Sequence, residues 1–457
     1  MTTTAQPRQS NAALMQDVLR LSIPSIMAQI AATIMQYIDA TMVGSLGANA
    51  SAAIGLVSSS TWLMGGFCGA AATGYAVQIA HRIGAGEEDA ARNVLRQALC
   101  FCTVFGLLIG AVGAGISGGL PVWLGGAPEI TADAAAYFFI FACAMPAASL
   151  DNLAASALQC SGNMRTPSLV SALMCGLDVV FNFFLIFPTR TVNGICIPGA
   201  GLGVAGAALG TTLSELVCAV LMLWAACVRS PKLSLRIPGS WRFNANIHLT
   251  AARISLPAAF ERIVLNFAQI AVTRIVAPLG TVEVAANSLA VTAESLCYMP
   301  GYGIAAAATT LVGQSQGAGR RDLSKRYARL STLLGAVVMG AAGALMYAAA
   351  PLMFQMLTPD PAVRALGTQV LRIEAFAEPF FATSIVAAGA LRGAGDTLVP
   401  SVLNLVSMWG VRITLSLVLA PRFGLPGVWM AMCLELCARG VLFLIRLLHG
   451  KWLDKKV

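Results

Sequence analysis

Asp39, Asp178, Glu261, Glu294, Glu374 and Glu378 all fall inside long apolar stretches of this chain. An ionised carboxylate is costly in such a setting and faces protein or a water-filled cavity rather than lipid. Asp178 and Asn182 stand four residues apart and therefore share one face of a helix, walled by Leu177, Val179, Val180, Phe181 and Phe183. Oxygen-bearing side chains on one face suit Na⁺, with water completing its shell. A carboxylate held away from water also suits a proton. The chemistry such a pair could perform is reversible cation binding; the alternative is a hydrogen bond that packs helices. Asp39 lies beyond an apolar run, toward the outer end of the first predicted helix, and reads either as a cation ligand or as an interfacial acid. Thr211 and Thr212 supply hydroxyls for the same site, or bond back to their own helix.

A second group of charges follows. Glu261 lies four residues beyond Pro257 with Arg262 beside it, and Glu294 is central in its apolar segment. Glu374 and Glu378 are four apart, with Arg372 nearby. Arg412 needs an internal partner, and Glu374 is one candidate. Two readings stand: these charges neutralise one another, or the acids line a cleft that attracts cationic substrates. Met174, Tyr298 and Met299 offer an adaptable apolar surface for that cleft, or else fill packing gaps. Thr, Glu and Arg apart, the twelve cysteines sit mostly inside apolar runs with no zinc-like spacing and read as small packing residues. The three histidines, His81, His248 and His449, fall near segment ends, where solvated or interfacial roles are expected.

The elements that must position these groups are membrane helices. Of 457 residues, 57% are hydrophobic and 11% charged, against about 25% charged in soluble domains. A spanning helix takes about 20 residues. The chain divides into twelve such segments, at 16–44, 52–80, 93–118, 132–156, 166–189 and 202–228, then 250–277, 285–314, 327–351, 363–390, 399–420 and 424–448. Gly- and Pro-containing breaks separate them. No cleavable signal peptide is read at the N-terminus. With that end cytoplasmic, most of the 29 Lys and Arg fall in the tails, the even-numbered turns and the cytoplasmic helix ends. This bias predicts that both termini are cytoplasmic. The net charge of +9 is thus a matter of orientation, and no nucleic-acid partner is expected. The expected units are a tail at 1–15, a six-helix bundle at 16–228, a cytoplasmic linker at 229–249, a second bundle at 250–448 and a tail at 449–457.

The halves repeat at an offset of 233 residues. Arg20 and Pro24 match Arg253 and Pro257, Gly47 matches Gly280, and Gly84-Ala85-Gly86 matches Gly317-Ala318-Gly319. Leu158, Gly162 and Pro167 match Leu391, Gly395 and Pro400. The register changes after the fifth segment, where the first half has a longer loop around Arg190 to Gly201. An even number of helices per repeat makes the repeats parallel, related by an axis along the membrane normal. The fold class is therefore an all-α polytopic membrane protein, with two six-helix bundles related by a pseudo-twofold. Charge does not repeat: the counterparts of Asp39 and Asp178 are Val272 and Val411. That asymmetry places the better cation site in the first bundle. Pro24 and Pro257 are expected to bend their helices.

These residues resemble a known family. Ile23-Pro24, Gln36-Tyr37-Ile38-Asp39 and Met42-Val43-Gly44-Ser45-Leu46-Gly47 come first, followed by the two Gly-Ala-Gly turns. Leu158-Gln159-Cys160-Ser161-Gly162-Asn163 precedes Thr166-Pro167, and its partner is Leu391-Arg392-Gly393-Ala394-Gly395-Asp396-Thr397. In this order they are similar to the prokaryotic multidrug and toxic compound extrusion (MATE) transporters, from Leu21 to about Leu448. The resemblance implies a secondary multidrug exporter that moves organic cations or small metabolites by alternating access, in antiport with H⁺ or Na⁺. It also implies that Asp39 belongs to a cation site. The family often has Asn first and Asp second on the fifth helix; here Asp178 precedes Asn182, so the carboxylate is moved by one turn. The family's usual tenth-helix acid matches Phe381 and does not carry over. The alternative function is a flippase of lipid-linked cell-envelope precursors.

No Walker A loop, nucleophile triad or metal-hydrolase motif occurs, so neither catalysis nor an ATPase subunit is expected. The coupling ion, H⁺ or Na⁺, stands in place of a cofactor. Expected partners are a small-molecule substrate and membrane lipids, and the expected state is a monomer in the bacterial cytoplasmic (inner) membrane.

Overall fold

The structure is a computed structural model and describes residues 10–192, 195–455 and 457. Residues 1–9 of the expected N-terminal tail therefore lie outside the described residues.

Long apolar stretches fold as helices because in lipid every backbone polar group must be satisfied within its own segment. The first half holds α1 (Asn11–Gly44), α2 (Ala48–Gly84), α3 (Glu88–Ile116), the short α4 (Leu120–Trp123), α5 (Pro128–Cys160), α6 (Arg165–Ile186) and α7 (Gly203–Trp224). A π-helical turn, Ala225–Arg229, extends α7. The second half holds α8 (Ala245–Val276), α9 (Thr281–Gly317), α10 (Arg321–Leu357), α11 (Pro361–Ala375) and α12 (Glu378–Gly393). It ends with α13 (Leu398–Val406), a π-helical stretch Ser407–Ile413, α14 (Thr414–Phe423) and α15 (Leu425–His449). Taking α11–α12 and α13–α14 each as one broken span, the described residues form twelve membrane-length units. Ten helices are long and apolar enough to cross a membrane by length and composition. The other two units are α9, much of it buried, and the broken α11–α12.

The expected loop after the fifth segment is instead partly a β-hairpin, Pro188–Val192 (β1) with Ile195–Ala200 (β2), antiparallel with Pro188 opposite Ala200. Thr and Ile enrichment there favours extended backbone.

The repeat is legible at single-residue level. Helices α2 and α9 are both 37 residues long and start and end 233 positions apart. Gly47 and Gly280 (φ 116° and 137°), Gly86 and Gly319 (79° and 71°), and Gly162 and Gly395 (93° and 84°) adopt matching left-handed turns, which only glycine enters freely. The halves also meet reciprocally. Gln314 Nε2 donates to the Cys160 carbonyl at 2.7 Å, and His81 Nε2 lies 2.9 Å from the Gly393 carbonyl. His81 and Gln314 are repeat-equivalent, as are Cys160 and Gly393. Contacts exchanged in this way are what a twofold requires. Gly84 lies against Gln314, and Gly317 against His81, with no room for a Cβ at either. This seam closes the molecule at the end that carries both described termini.

His81 is thus buried in the seam rather than solvated. His248 likewise has partners: Nδ1 lies 2.8 Å from the Tyr75 hydroxyl and Nε2 3.2 Å from Gln97 Oε1. The stretch between the halves lies back on α3, where Arg96 donates to the Ile237 carbonyl at 2.6 Å and Gln97 Nε2 to the Arg242 carbonyl at 2.8 Å. Pro24 and Pro257 lie inside α1 and α8, with Pro146, Pro300 and Pro351 inside other helices.

Candidate ion and substrate sites

Two helices bring three polar side chains together in the first half. Asp39 comes from the end of α1 farther from the termini, while Asp178 and Asn182 are one turn apart on α6. Asn182 Nδ2 donates to Asp39 Oδ1 at 2.9 Å and to Asp178 Oδ2 at 3.1 Å. Asp178 is 0% and Asn182 1% exposed, while Asp39 is half-buried. Two acceptor atoms in this cluster, Asp178 Oδ1 and Asn182 Oδ1, are buried without a hydrogen-bond partner. Unsatisfied buried oxygens cost free energy; a bound cation offers both a partner, whereas a proton on Asp178 removes the charge of its buried carboxylate. The approach of α6 to α7 depends on Gly210: a Cβ there would collide with Asn182 Oδ1 and stand 3.0 Å from its Cγ and backbone nitrogen.

Beside this cluster runs a cavity of about 900 Å³. Asp39, Asn182 and Thr211 line it, with Gln29 and Gln36 of α1, Trp62 of α2, Tyr137, Phe141 and Asn152 of α5, and Arg262 of α8. It extends from Gly69 to Val43 and Ser51, which lie next to the α1–α2 turn, at the end away from the termini. Its wall mixes aliphatic and aromatic side chains with amides, hydroxyls and two charges, and small-molecule sites combine apolar walls with placed polar groups in this way. Thr212 is half-buried and does not line it.

Glu261, Glu294, Glu374, Glu378, Arg412, Met174, Tyr298 and Met299 do not line this cavity. Glu261 is held by other groups: it accepts from Arg392 Nη2 at 3.2 Å, Ser401 Oγ at 2.7 Å and Asn404 Nδ2 at 2.6 Å. Its ion pair is thus with Arg392 and not with its neighbour Arg262. Consecutive helical residues point in directions about 100° apart, so the two charges serve different places.

The remaining acids gather in the second half. The helix breaks between α11 and α12, leaving Glu374 and Glu378 on either side of Phe376 and Ala377. Both carboxylates are fully buried with no hydrogen-bond partner. Arg372 turns away, donating to the Tyr347 carbonyl at 3.1 Å and stacking on the Tyr347 ring. Arg412 makes no ion pair with Glu374; its Nη2 lies 2.8 Å from Met432 Sδ. Glu294 is also buried, near enough to Arg412 and Arg439 for their charges to act on it. Tyr298 packs edge-on against Phe381, with ring centroids 5.6 Å apart. Met174 is half-buried on α6.

Several participants escape a reading of the sequence. Glu435 and Arg439 pair at 3.1 Å on α15, and Ser407 Oγ donates to Glu435 at 2.5 Å. Asp151 and Glu215 lie inside the first half, where the charges of Asp151 and Asp178 reach Glu215. Their signal was the same rarity of acids in apolar runs that marks Asp39 and Asp178. Arg262 was legible as a charge, but the direction of its side chain was not. Among the described residues, no group of three or more His, Cys, Asp or Glu forms a metal-holding cluster.

A family model described as MatE matches the chain twice, over residues 24–184 and 257–418. The chain belongs to the MatE family. The two matches begin 233 residues apart, at Pro24 and Pro257, the offset seen in the fold. The chain is 25% identical over 456 residues to a probable multidrug resistance protein NorM of Thermotoga maritima, covering 99% of this chain and 96% of that one. It is 29% identical to the multidrug resistance protein PmpM of Pseudomonas aeruginosa, covering 95% and 91%. The fold superimposes on an outward-facing multidrug resistance MATE family transporter with a TM-score of 0.89, at 19% identity over 99% of this chain and 100% of that one. It matches a variant of the Vibrio cholerae MATE transporter VcmN equally, at 0.89 and 16% identity over 97% and 99%. This MatE protein is therefore a multi-pass bacterial membrane protein and a secondary transporter of small molecules, in a family of transporters rather than enzymes. Its architecture is that of the family: twelve helices in two bundles about a pseudo-twofold.

Proposed function

We propose that this MatE protein is an exporter of organic cations or small metabolites, and that inward flow of a cation through the Asp39–Asn182–Asp178 cluster drives it. The observation that carries this reading is the single Asn182 amide shared by two carboxylates at the edge of the cavity. Two neighbouring acids resist simultaneous ionisation. The amide nitrogen already occupies the space between them, which favours a proton over Na⁺ as the coupling ion. Sodium would require the amide to turn and present Oδ1. One charge moving inward across 100 mV releases about 2.3 kcal/mol. That energy can bias two conformations only if the cation binds one better than the other. Protonation would relieve the buried cluster in the closed state, while release would favour the state that takes up substrate. Thr211, at the cavity edge, completes the polar surround; Thr212 faces elsewhere.

The proposal extends to orientation and organisation. Both termini are cytoplasmic, by the distribution of Lys and Arg, and the cavity then opens outward. Bundles at 16–228 and 250–448 rock about the seam, joined by the linker at 229–249 and flanked by tails at 1–15 and 449–457. One chain holds both bundles, and the working unit is a monomer. Glu294, Glu374, Glu378 and Arg412 form a reserve of buried charge that can reach a cleft when the bundles move.

Transport in proteoliposomes with proton and sodium gradients imposed separately tests the reading. Ethidium movement is expected to follow the proton gradient and to collapse in Asp39→Asn and Asp178→Asn. Movement indifferent to both gradients, or unaltered in both variants, removes the coupling site.

A further inference from the structure

The cavity wall carries one acid and one base, and they are not equally engaged. Asp39 accepts a hydrogen bond from Asn182. Arg262 has no carboxylate within 4.0 Å among the described residues. Its neighbour Glu261, about 100° around the helix, is held instead by Arg392, Ser401 and Asn404. The Arg262 stem lies along the glycine face of α2, where a Cβ at Gly66 would be 3.7 Å from its Cγ and Cδ. The Arg262 side chain is thus exposed at the cavity without an ion pair among the described residues, although its charge still acts on Glu261.

The repeat sharpens the point. The position 233 residues before Arg262 is Gln29, and Gln29 lines the same cavity. The pseudo-twofold therefore presents related positions of α1 and α8 to one space, and only α8 supplies a charge. An arginine in hydrocarbon surroundings is kept out of lipid by function or by a partner, and among the described residues no carboxylate pairs with this one within 4.0 Å. Guanidinium binds carboxylates through two parallel N–H donors. A purely cationic guest would meet it as a like charge.

Resting on the transport reading above, we infer that Arg262 is a specificity-determining residue that anchors an acidic group of the substrate. The preferred guest is then an amphoteric aromatic molecule: its carboxylate on Arg262, its ring against Trp62, Tyr137 or Phe141, and its cationic end toward Asp39. Simple organic cations are the poorer substrates.

A matched pair of rhodamine dyes tests this: the free acid, which carries a carboxylate, and its methyl ester, which does not. Fluorescence anisotropy of each dye with purified protein gives the ratio of acid to ester affinity without requiring transport. That ratio is expected to fall at least tenfold in Arg262→Gln and to be partly kept in Arg262→Lys, which preserves charge but not the two-pronged geometry. An equal ratio in wild type and Arg262→Gln overturns the inference, as does tighter acid binding by the variant. Vesicle transport of the same dyes separates this from the coupling scheme. A shifted affinity ratio with no gradient-driven transport defeats the coupling reading alone; gradient-driven transport with an unmoved ratio defeats this inference alone.

Discussion

Asp178 and Asn182 illustrate how a four-residue spacing becomes chemistry only when a third side chain arrives from elsewhere. Asp39 meets Asn182 across 143 residues of sequence. Acids stand out in an apolar sequence because they are rare and costly there, so both were visible. Their convergence was implied by the family resemblance and not by the spacing, because nothing in the spacing sets the distance between α1 and α6. Gly210 was silent for the same reason: its role is the space it leaves for Asn182. Gly210→Ala should push α7 from α6, cost about 1–3 kcal/mol as overpacking and weaken gradient-driven transport. Thermal unfolding in detergent, read beside vesicle transport, checks both effects. Normal stability with normal transport would show that the close approach is dispensable. Glu261→Gln tests the other kind of acid. It leaves Arg392 without its charge partner, a loss near the lower end of the ~3–5 kcal/mol for breaking buried pairs, since the Arg392 side chain is 28% exposed. The expected result is a lowered unfolding temperature.

Helix boundaries followed from apolar run length and Gly/Pro punctuation, and the 233-residue offset came through in the positive-φ glycines. What the sequence left out are the interruptions inside spans. The break at Phe376–Ala377 and the π-helical stretch Ser407–Ile413 fall where the first half has the continuous helices α5 and α6. Pro146 and Pro379 are repeat-equivalent, yet only the second opens its helix. Charge is the difference between them: Glu374 and Glu378 flank the break, and no acid stands at the matching places of α5. The seam belongs to this scale as well. If the paired bonds of His81 and Gln314 hold the terminus-bearing end shut, His81→Leu and Gln314→Leu should each open it, to comparable extents. In a background where Cys160 is the sole cysteine, labelling of that buried thiol by a membrane-impermeant maleimide should rise severalfold in both. Unchanged labelling would mean that the packing of α2 on α9 suffices without these bonds.

For the whole molecule, composition conveyed the class, because lipid allows so few solutions, and residue matches at a constant offset conveyed the repeat; the charge distribution predicts an orientation. They conveyed less about which half would bind what. The two bundles share a backbone plan and divide their charges unequally. In the first, acids meet an amide beside a 900 Å³ cavity; in the second, the buried acids lie away from that cavity and only Arg262 of α8 reaches it. Orientation is open to direct test. Protease added to sealed right-side-out vesicles should spare the 230–244 segment and both tails, and should cleave them once the vesicles are permeabilised. Cleavage in the sealed vesicles would invert the assignment.

Proton release on substrate binding probes the coupling claim most directly. Purified protein in weakly buffered detergent solution is mixed with ethidium, and the solution pH is followed. Wild type should release protons on binding, and Asp39→Asn/Asp178→Asn should bind the dye without releasing any. Equal release from both proteins would place the proton elsewhere and contradict the account.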